Sequence, residues 1–470
     1  MSPQKATTTK SYEYWRTRIL YSTMLGYVFF YFIRKNISMA MPVIEENLGI
    51  NKEHLGIFIT LNGLVYGVSR LSNGVLADRI NPRYFMAVGL LLCAVANFGF
   101  GMSTSATLMG IFWIVNGWFQ GMGFPPCAKS LSHWFAAEER GVKFSIWNTS
   151  HSIGAGLILL INSLGLWLTN NDWRVCFFVP ASLAVFGAFF LLERLRDTPE
   201  SMGLMPVEEY YLRKHGTRIN GAHENGLAVN AKPEKIIAAE KDVIEDAASE
   251  SWGQTLITQV FANPAIWIIA FANFFVYIVR FSIVDWAPTF LKQAKGFELP
   301  HAGIISCFFE LVAVPGMLLA GWLMDRYFRG RGGRVCFWYM VGCTISMALF
   351  WFVDSRSFVV NAVLLAVLGF FIYGPQCLIG VVAANVATKK AAAAANGLTG
   401  IMGYASVIVT GWLIGRIANR YDWNAVFLLL IGASVVGTFL FIFAWNVVSP
   451  EQLAAEKAER EKLEQQGNSP

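Results

Sequence analysis

Long apolar runs separated by short polar breaks recur along this chain of 470 residues. Two of them, 84–102 and 425–447, contain about twenty residues each, which is enough for a helix to cross a hydrocarbon core of ~30 Å. Membrane barrels instead alternate apolar and polar residues in segments of ~10 residues, a pattern that this sequence lacks. The runs therefore predict an all-α membrane protein.

The apolar runs form two groups of six, which predicts twelve transmembrane helices in two halves. The first group lies near 19–43, 54–77, 83–103, 107–129, 142–167 and 174–194. The second group lies near 262–290, 301–324, 334–353, 358–386, 391–416 and 424–447. The predicted domains are an N-terminal half at 1–194, a cytoplasmic linker at 195–253, a C-terminal half at 254–449 and a cytoplasmic tail at 450–470.

Charged residues make up only 14% of the chain, and its net charge is +6. The basic residues stand in short loops between apolar runs, which is typical of membrane topology rather than of nucleic-acid binding. They concentrate in the loops that follow even-numbered helices, at Arg79, Arg83, Arg140, Lys143, Arg326, Arg329, Arg331, Arg334, Lys389 and Lys390. The positive-inside rule then predicts that both termini and the linker lie in the cytoplasm. The expected location of this multi-pass chain is a bacterial inner membrane.

An internal repeat relates the two halves. Its anchors are 74–79 with 321–326 at an offset of 247, Arg34 with Arg280 at 246, and Asn148 with Asn396 at 248. Three anchors that agree within two residues indicate a duplication. We therefore expect two pseudo-symmetric six-helix halves, with the substrate at their interface near the middle of the membrane.

Arg34 and Arg280 lie at matching depths in the first and seventh predicted helices, near mid-membrane. A charge at that depth costs from ~2.5 to more than ~10 kcal/mol, so such a residue faces the bundle interior or a water-filled cavity. For either arginine alone, neutralisation by a buried carboxylate is an open alternative. Their symmetric positions favour a ligand site.

Helical spacing adds polar neighbours to each arginine. One face carries Tyr27, Tyr31, Arg34 and Ser38, and the other carries Asn273, Tyr277 and Arg280. Two guanidiniums present planar donor forks that match the oxygens of a phosphate or a carboxylate. Because both are permanently charged, they suit a dianion, which favours phosphate esters.

Further polar residues lie within predicted helices. The candidates for the same pocket are His151, Arg70, Tyr66 and Tyr373. For His151, a hydrogen-bonded packing role is an equal alternative to proton exchange with an arriving dianion. Lys35, Asp285 and Glu310 are expected to form ion pairs between the halves, because an unpaired charge there would be costly.

Several classes of protein are excluded. The segment 121–126, Gly-Met-Gly-Phe-Pro-Pro, resembles part of a dinucleotide loop, but no strand precedes it. No Walker-type loop is present, so ATP-driven pumping has no support, and the chain is not expected to be an enzyme. The seven cysteines form no close pairs, so neither disulfides nor a metal site nor any cofactor is predicted.

Several motifs resemble the major facilitator superfamily and one of its families. The segment 74–83 is similar to the superfamily's loop motif between the second and third helices. More specific segments resemble the organophosphate:phosphate antiporter family, at 31–36, 117–127, 147–151, 196–204, 276–286 and 373–380. They follow in the expected order along nearly the whole chain. The resemblance implies the major facilitator fold and exchange of hexose 6-phosphate or glycerol 3-phosphate for inorganic phosphate.

The resemblance also implies roles for single residues. Arg34 and Arg280 would hold the phosphate, His151 would assist them, and Tyr31, Tyr66, Tyr277 and Tyr373 would line the pocket. Lys35, Asp285 and Glu310 would make and break ion pairs, while Asp78, Arg79, Asp325 and Arg326 would brace the cytoplasmic gate. The family commonly has lysine where this chain has Arg70, which implies a pocket edge shaped for a different ester.

Two other functions stay open from the sequence. The first is a membrane sensor of sugar phosphate that signals to a kinase, because such family members keep the same arginines. The second is a proton-coupled organic anion symporter, for which Asp285 and Glu310 are the candidate proton carriers. Expected partners are the phosphate ester, inorganic phosphate and membrane lipid, with no nucleic acid, and the chain is expected to be a monomer.

Overall fold

The computed structural model describes residues 3–215, 257–386 and 391–447, which are almost entirely helical. The predicted tail, most of the predicted linker, Lys389 and Lys390 lie outside these ranges. Among the described residues, ten helices are long and apolar enough to cross a membrane. The predicted all-α membrane fold is confirmed.

Six crossings in each half are built from single helices or from helix pairs. The first half contains α1 (Pro3–Phe32), α2 (Ile37–Leu48), α3 (Lys52–Arg79), α4 (Pro82–Met102), α5 (Ala106–Gln120), α6 (Phe124–Trp134), α7 (Ala137–Leu168) and α8 (Val175–Arg194). A short helix, α9 (Val207–His215), follows. The second half contains α10 (Pro264–Gln293), α11 (Leu299–Leu311), α12 (Ala313–Arg326), α13 (Gly332–Phe352), α14 (Phe358–Val386), α15 (Ala392–Ala405), α16 (Ile414–Arg420) and α17 (Trp423–Phe443).

Helix packing repeats between the halves. In the first half α4 packs on α8, and α3 packs on α5; in the second, α13 packs on α17, and α12 on α14. The same correspondence relates α1 on α7 to α10 on α15. The duplication inferred from the sequence is thus also a repeat in three dimensions.

The first crossing is not the continuous helix that the apolar run predicts. Residues 33–36 form a turn between α1 and α2 at membrane depth. The turn frees the carbonyl oxygen of Ile33, which accepts hydrogen bonds from the side-chain amides of Asn97 at 3.3 Å and Asn116 at 2.9 Å. Asn36 in turn donates to Asn97 at 2.9 Å. Non-helical backbone is tolerated at this depth because buried amides replace the lost helical bonds.

The eleventh crossing is also irregular. Between α15 and α16, residues Ile408–Leu413 form a π-helical segment. Thr60 of α3 donates to the carbonyl oxygen of Val407 at 3.0 Å and accepts from the backbone N–H of Trp412 at 2.8 Å. The indole N–H of Trp286 donates to the carbonyl oxygen of Thr410 at 2.7 Å. The two halves are therefore hydrogen-bonded to each other through this segment.

Two glycine crossings close one end of the interface between the halves, which we call the sealed end. A Cβ atom at Gly56 of α3 would overlap the carbonyl oxygen of Gly411, and one at Gly303 of α11 would overlap the hydroxyl of Ser163 on α7. Gly303 stands 247 residues after Gly56, and Gly411 stands 248 after Ser163. The crossings are therefore equivalent under the repeat, and only small residues allow such close approach.

An ion pair and a hydrogen bond between α2 and α10 complete the sealed end. Lys292 donates to both carboxylate oxygens of Glu46, at 2.7 and 2.6 Å, and Gln293 donates to Glu45 at 2.8 Å. Lys292 stands 246 residues after Glu46, the spacing that also separates Arg34 from Arg280.

At the opposite end of the bundle, α9 is fixed to the N-terminal half. The ring of Tyr210 stacks on Tyr12 with centroids 3.9 Å apart, and its hydroxyl donates to Glu13 at 2.6 Å. Arg16 forms ion pairs with Glu13 and Glu139. Burial alone would raise the pKa of Glu13, but the hydrogen bonds from Lys214 and Tyr210 lower it below its ordinary value.

Lys295, in the loop after α10, was not singled out by the sequence and is almost fully buried. Its ammonium donates to the carbonyl oxygens of Phe350 and Val353, at 2.7 and 3.1 Å, and to the amide oxygen of Asn361 at 2.8 Å. Burial lowers the pKa of Lys295 to about 8. The contacts tie this loop to the loop between α13 and α14.

Replacing Lys295 by methionine is expected to destabilise the protein by about 2–4 kcal/mol, because three buried acceptors lose their donor. The thermal unfolding midpoint in detergent, followed by tryptophan fluorescence, checks this. Arg356→Met is the matched control, since Arg356 is exposed on the loop before α14. Equal midpoints for the two variants would contradict the structural role of Lys295.

Candidate functional site

A large cavity lies between the two halves, with a volume of about 910 Å³. Its wall runs from Tyr31 and Arg280 at mid-depth to Arg140 and Gly141 at the start of α7. The cavity therefore opens at the end that carries the arginine-rich loops, which we call the open end. The glycine crossings and ion pairs described above close the other end.

The wall of this cavity is basic. It includes Arg70, Arg140 and Arg280, and none of the described residues that line it is an aspartate or a glutamate. Of the predicted site residues, Tyr31, Arg70, His151 and Arg280 line it. The charge and the depth of the cavity suit an anionic ligand.

Arg280 lies on α10 and is about 5% exposed. Its central guanidinium carbon stands 4.6 Å from the ring centroid of Tyr373 and 5.7 Å from that of Tyr277. Within the described ranges its Nε has no hydrogen-bond partner, and no carboxylate lies within 4.0 Å of it. Aromatic faces support this guanidinium without neutralising it.

Arg34 does not line the large cavity, which corrects the expectation that both guanidiniums face one space. It lines a separate small cavity of about 40 Å³, together with Lys35 and Asp285. The ring of Tyr66 covers the Arg34 guanidinium, with its central carbon 3.8 Å from the ring centroid. The physical reason is the turn at 33–36, which changes the direction of Arg34 relative to a continuous helix.

Tyr404 of α15 separates the two cavities and was not predicted. It is a lining residue of both, and its ring centroid lies 5.3 Å from that of Tyr66 and 6.1 Å from that of Tyr277. A ligand held by Arg34 and Arg280 together therefore requires this tyrosine to move.

Spacing along two helices could have identified the missing lining residues. Asn396, Thr399, Gly400 and Tyr404 recur at helical intervals on α15, as do Gly141, Ser145, Asn148 and Thr149 on α7. Small and polar residues on one face of an otherwise apolar helix indicate that this face lines a water-accessible cavity.

His151 is buried on α7, with its ring centroid 5.9 Å from that of Tyr31 and 6.0 Å from that of Tyr373. Its Nδ1 lies against the carbonyl oxygen of Asn148, which can only accept, so Nδ1 carries the hydrogen. Nε2 is then the nitrogen available to a ligand, with the Ser152 hydroxyl 3.4 Å away.

The three candidate ion-pairing residues are arranged in two separate contacts. Lys35 pairs with Asp285 across the halves at 2.6 Å. Glu310, about 1% exposed, accepts a hydrogen bond from the hydroxyl of Tyr373 at 2.6 Å. Lys35 and Glu310 line one small cavity, but no ion pair between them occurs in the described ranges.

The predicted gate residues lie at the open end. Asp78 and Arg79 end α3, and Asp325 and Arg326 end α12, and all four are exposed. No ion pair among the described residues joins them.

Comparisons with known proteins agree with this architecture. The model of the Major Facilitator Superfamily matches residues 23–411. A probable hexose phosphate transport protein from Chlamydia pneumoniae is 38% identical over 454 residues, covering 96% of this chain and 94% of that protein. A glycerol-3-phosphate transporter from Bacillus subtilis is 36% identical, covering 93% and 94%. A membrane sensor protein from Escherichia coli is 32% identical, covering 94% of each.

Among solved structures, a bacterial homologue of the human lysosomal transporter Spinster, inward-facing and occupied, superposes with a TM-score of 0.67 at 12% identity, covering 92% of this chain and 97% of that one. That likeness concerns the fold. The predicted family and the predicted absence of enzymatic activity are confirmed by the sequence relatives. The chain is a transporter-type membrane protein that belongs to the major facilitator superfamily and, within it, to the organophosphate:phosphate antiporter family.

Proposed function

We propose that the protein exchanges an organic phosphate ester for inorganic phosphate by alternating access. The observation that carries the proposal is the pair of repeat-related arginines, Arg34 and Arg280, which have no carboxylate within 4.0 Å among the described residues. Arg34 and Arg280 line two neighbouring cavities, and Tyr404 is a lining residue of both. Relatives named as hexose phosphate and glycerol-3-phosphate transporters support the same substrate class.

The uncompensated positive charge of the two arginines explains why transport would be an exchange rather than one-way passage. Closing the cavity around two desolvated guanidiniums is unfavourable, whereas a bound phosphate dianion compensates them. Each change of conformation would therefore require an anion in the site. In this scheme Tyr404 moves aside, phosphate bridges Arg34 and Arg280, and the Lys35–Asp285 pair opens as the sealed end separates.

The open end is proposed to face the cytoplasm of a bacterial inner membrane, with both termini on that side. The support is the positive-inside rule, because Arg79, Arg83, Arg140 and the arginines after α12 lie at this end.

Exchange is tested with purified protein in lipid vesicles. Vesicles loaded with phosphate should take up labelled phosphate, and unloaded vesicles should take up about tenfold less or none. Equal uptake by loaded and unloaded vesicles would contradict the exchange mechanism.

The sensor alternative rests on the similarity to a membrane sensor protein. It predicts that a phosphate ester binds the purified protein while loaded vesicles take up no label. A proton symporter would instead fill unloaded vesicles when a pH gradient is imposed. The symporter is disfavoured because, in the part of the chain that the structure describes, no carboxylate lines the large cavity, and because Asp285 is paired with Lys35.

A further inference from the structure

Arg70 lies in the wall of the large cavity and is held by aromatic packing rather than by an acceptor. Its central guanidinium carbon stands 4.0 Å from the ring centroid of Phe124. Phe124 begins α6 and packs against Phe144 and Trp147, with centroids 6.2 and 5.6 Å apart. This support fixes the plane of the guanidinium at the edge of the cavity.

The N–H groups of Arg70 have no protein acceptor within the described ranges, where none of its hydrogen bonds or ion pairs occurs. Two other basic groups of the interface have acceptors in the protein. Lys35 is paired with Asp285, and Arg140 donates to two backbone carbonyl oxygens at 3.2 and 3.0 Å. Because Arg70 is only partly buried and faces an open cavity, these donors point into solvent-accessible space. A substrate that carries acceptors can therefore bind them without displacing a protein partner.

The position of Arg70 along α3 sets which part of a substrate it can reach. Tyr66, whose ring covers Arg34, lies four residues earlier, on the side of the sealed end. One turn of helix rises about 5.4 Å, roughly the reach of a three-carbon chain. A substrate whose phosphate is held at the level of Arg34 and Arg280 would therefore extend its far end towards Arg70.

We propose that Arg70 is a second anion subsite and that the preferred organic substrate is a phosphate ester with a carboxylate at its other end. A carboxylate offers two oxygens to the guanidinium edge and one charge to match one arginine. A hydroxyl brings no charge, and a second phosphate brings two charges to one arginine. The inference rests on the proposed function, which assigns the phosphate to Arg34 and Arg280.

Two esters isolate the proposed contact. Glycerol 3-phosphate and 3-phosphoglycerate share one three-carbon skeleton and differ only where a hydroxymethyl group is replaced by a carboxylate. Calorimetric titration of the purified full-length protein in detergent should give an affinity for 3-phosphoglycerate about tenfold higher or more. Arg70→Gln should reduce the affinity for 3-phosphoglycerate by a factor about tenfold larger than the factor by which it reduces the affinity for glycerol 3-phosphate.

Arg140→Gln is the matched control, because it removes a guanidinium from the same cavity wall nearer the mouth. Arg140→Gln should reduce the affinities for both esters by the same factor. Equal wild-type affinities for the two esters, equal losses in Arg70→Gln, or no binding of either ester would overturn the subsite. Phosphate exchange in vesicles is assayed on the same protein. If exchange fails while the ester preference and its loss persist, the transport proposal falls and the Arg70 subsite stands.

Discussion

Replacing Arg280 by lysine is expected to reduce phosphate exchange by about 100-fold or more. A lysine ammonium is a point charge and cannot reproduce the parallel donors of a guanidinium on a phosphate. It also loses the flat stacking surface against Tyr373, whose ring centroid lies 4.6 Å from the guanidinium carbon. Uptake of labelled phosphate into phosphate-loaded vesicles is the measurement.

Arg34→Lys is expected to give a loss of the same order, because the repeat places it at the equivalent position in the other half. The matched control is Arg356→Lys at an exposed position on the sealed-end side of α14, which should exchange at the wild-type rate. If Arg280→Lys retained more than about half of the wild-type rate while folding normally, the guanidinium would not be the phosphate ligand.

Replacing Gly411 by valine is expected to push the protein out of the conformation described here and to reduce exchange by about tenfold or more. A Cβ atom at this position would stand 2.5 Å from the carbonyl oxygen of Gly56 and 2.8 Å from the backbone nitrogen of Thr60. Because both are backbone atoms, no side-chain rotation can relieve the overlap. The halves must separate at the sealed end.

A cysteine at Ile59, which lines the small cavity beside Arg34, reports this separation. In a background without native cysteines, a membrane-impermeant maleimide applied from the sealed-end side should label it about tenfold faster when Gly411 is valine. Gly432→Val is the matched control, because a Cβ atom there would meet open space. Unchanged labelling of the Gly411 variant would show that the glycine crossing does not hold the seal.

The helix count and the repeat could be predicted from the sequence because both follow from properties of single residues and their spacing. An apolar run predicts a membrane-crossing helix, and the matching positions of Arg34 and Arg280 indicate that the first and seventh helices are equivalent. Neither inference depends on which helices pack against these residues. The breaks inside crossings could not be predicted in this way. The turn at 33–36 depends on amides from α4 and α5, so it is a property of the packed bundle.

The candidate site was predicted in part for the same reason. Helical spacing selected Arg280 and Tyr31, and a polar residue within a predicted helix indicated His151; all three line the large cavity. It could not place Arg34 behind Tyr66, nor identify Tyr404 as the residue between the two cavities, because those relations join helices that are distant in the sequence. A transporter also adopts more than one arrangement, and one sequence encodes all of them.

The ion pair between Glu46 and Lys292 has a consequence for how the halves descend from their common ancestor. Both residues occupy one position of the repeat and meet across the interface. If both copies carried the same charged residue at this position, like charges would meet across the interface, which is repulsive. The opposite charges of Glu46 and Lys292 make the two halves complementary at this position, whereas two copies of either half would place like charges there.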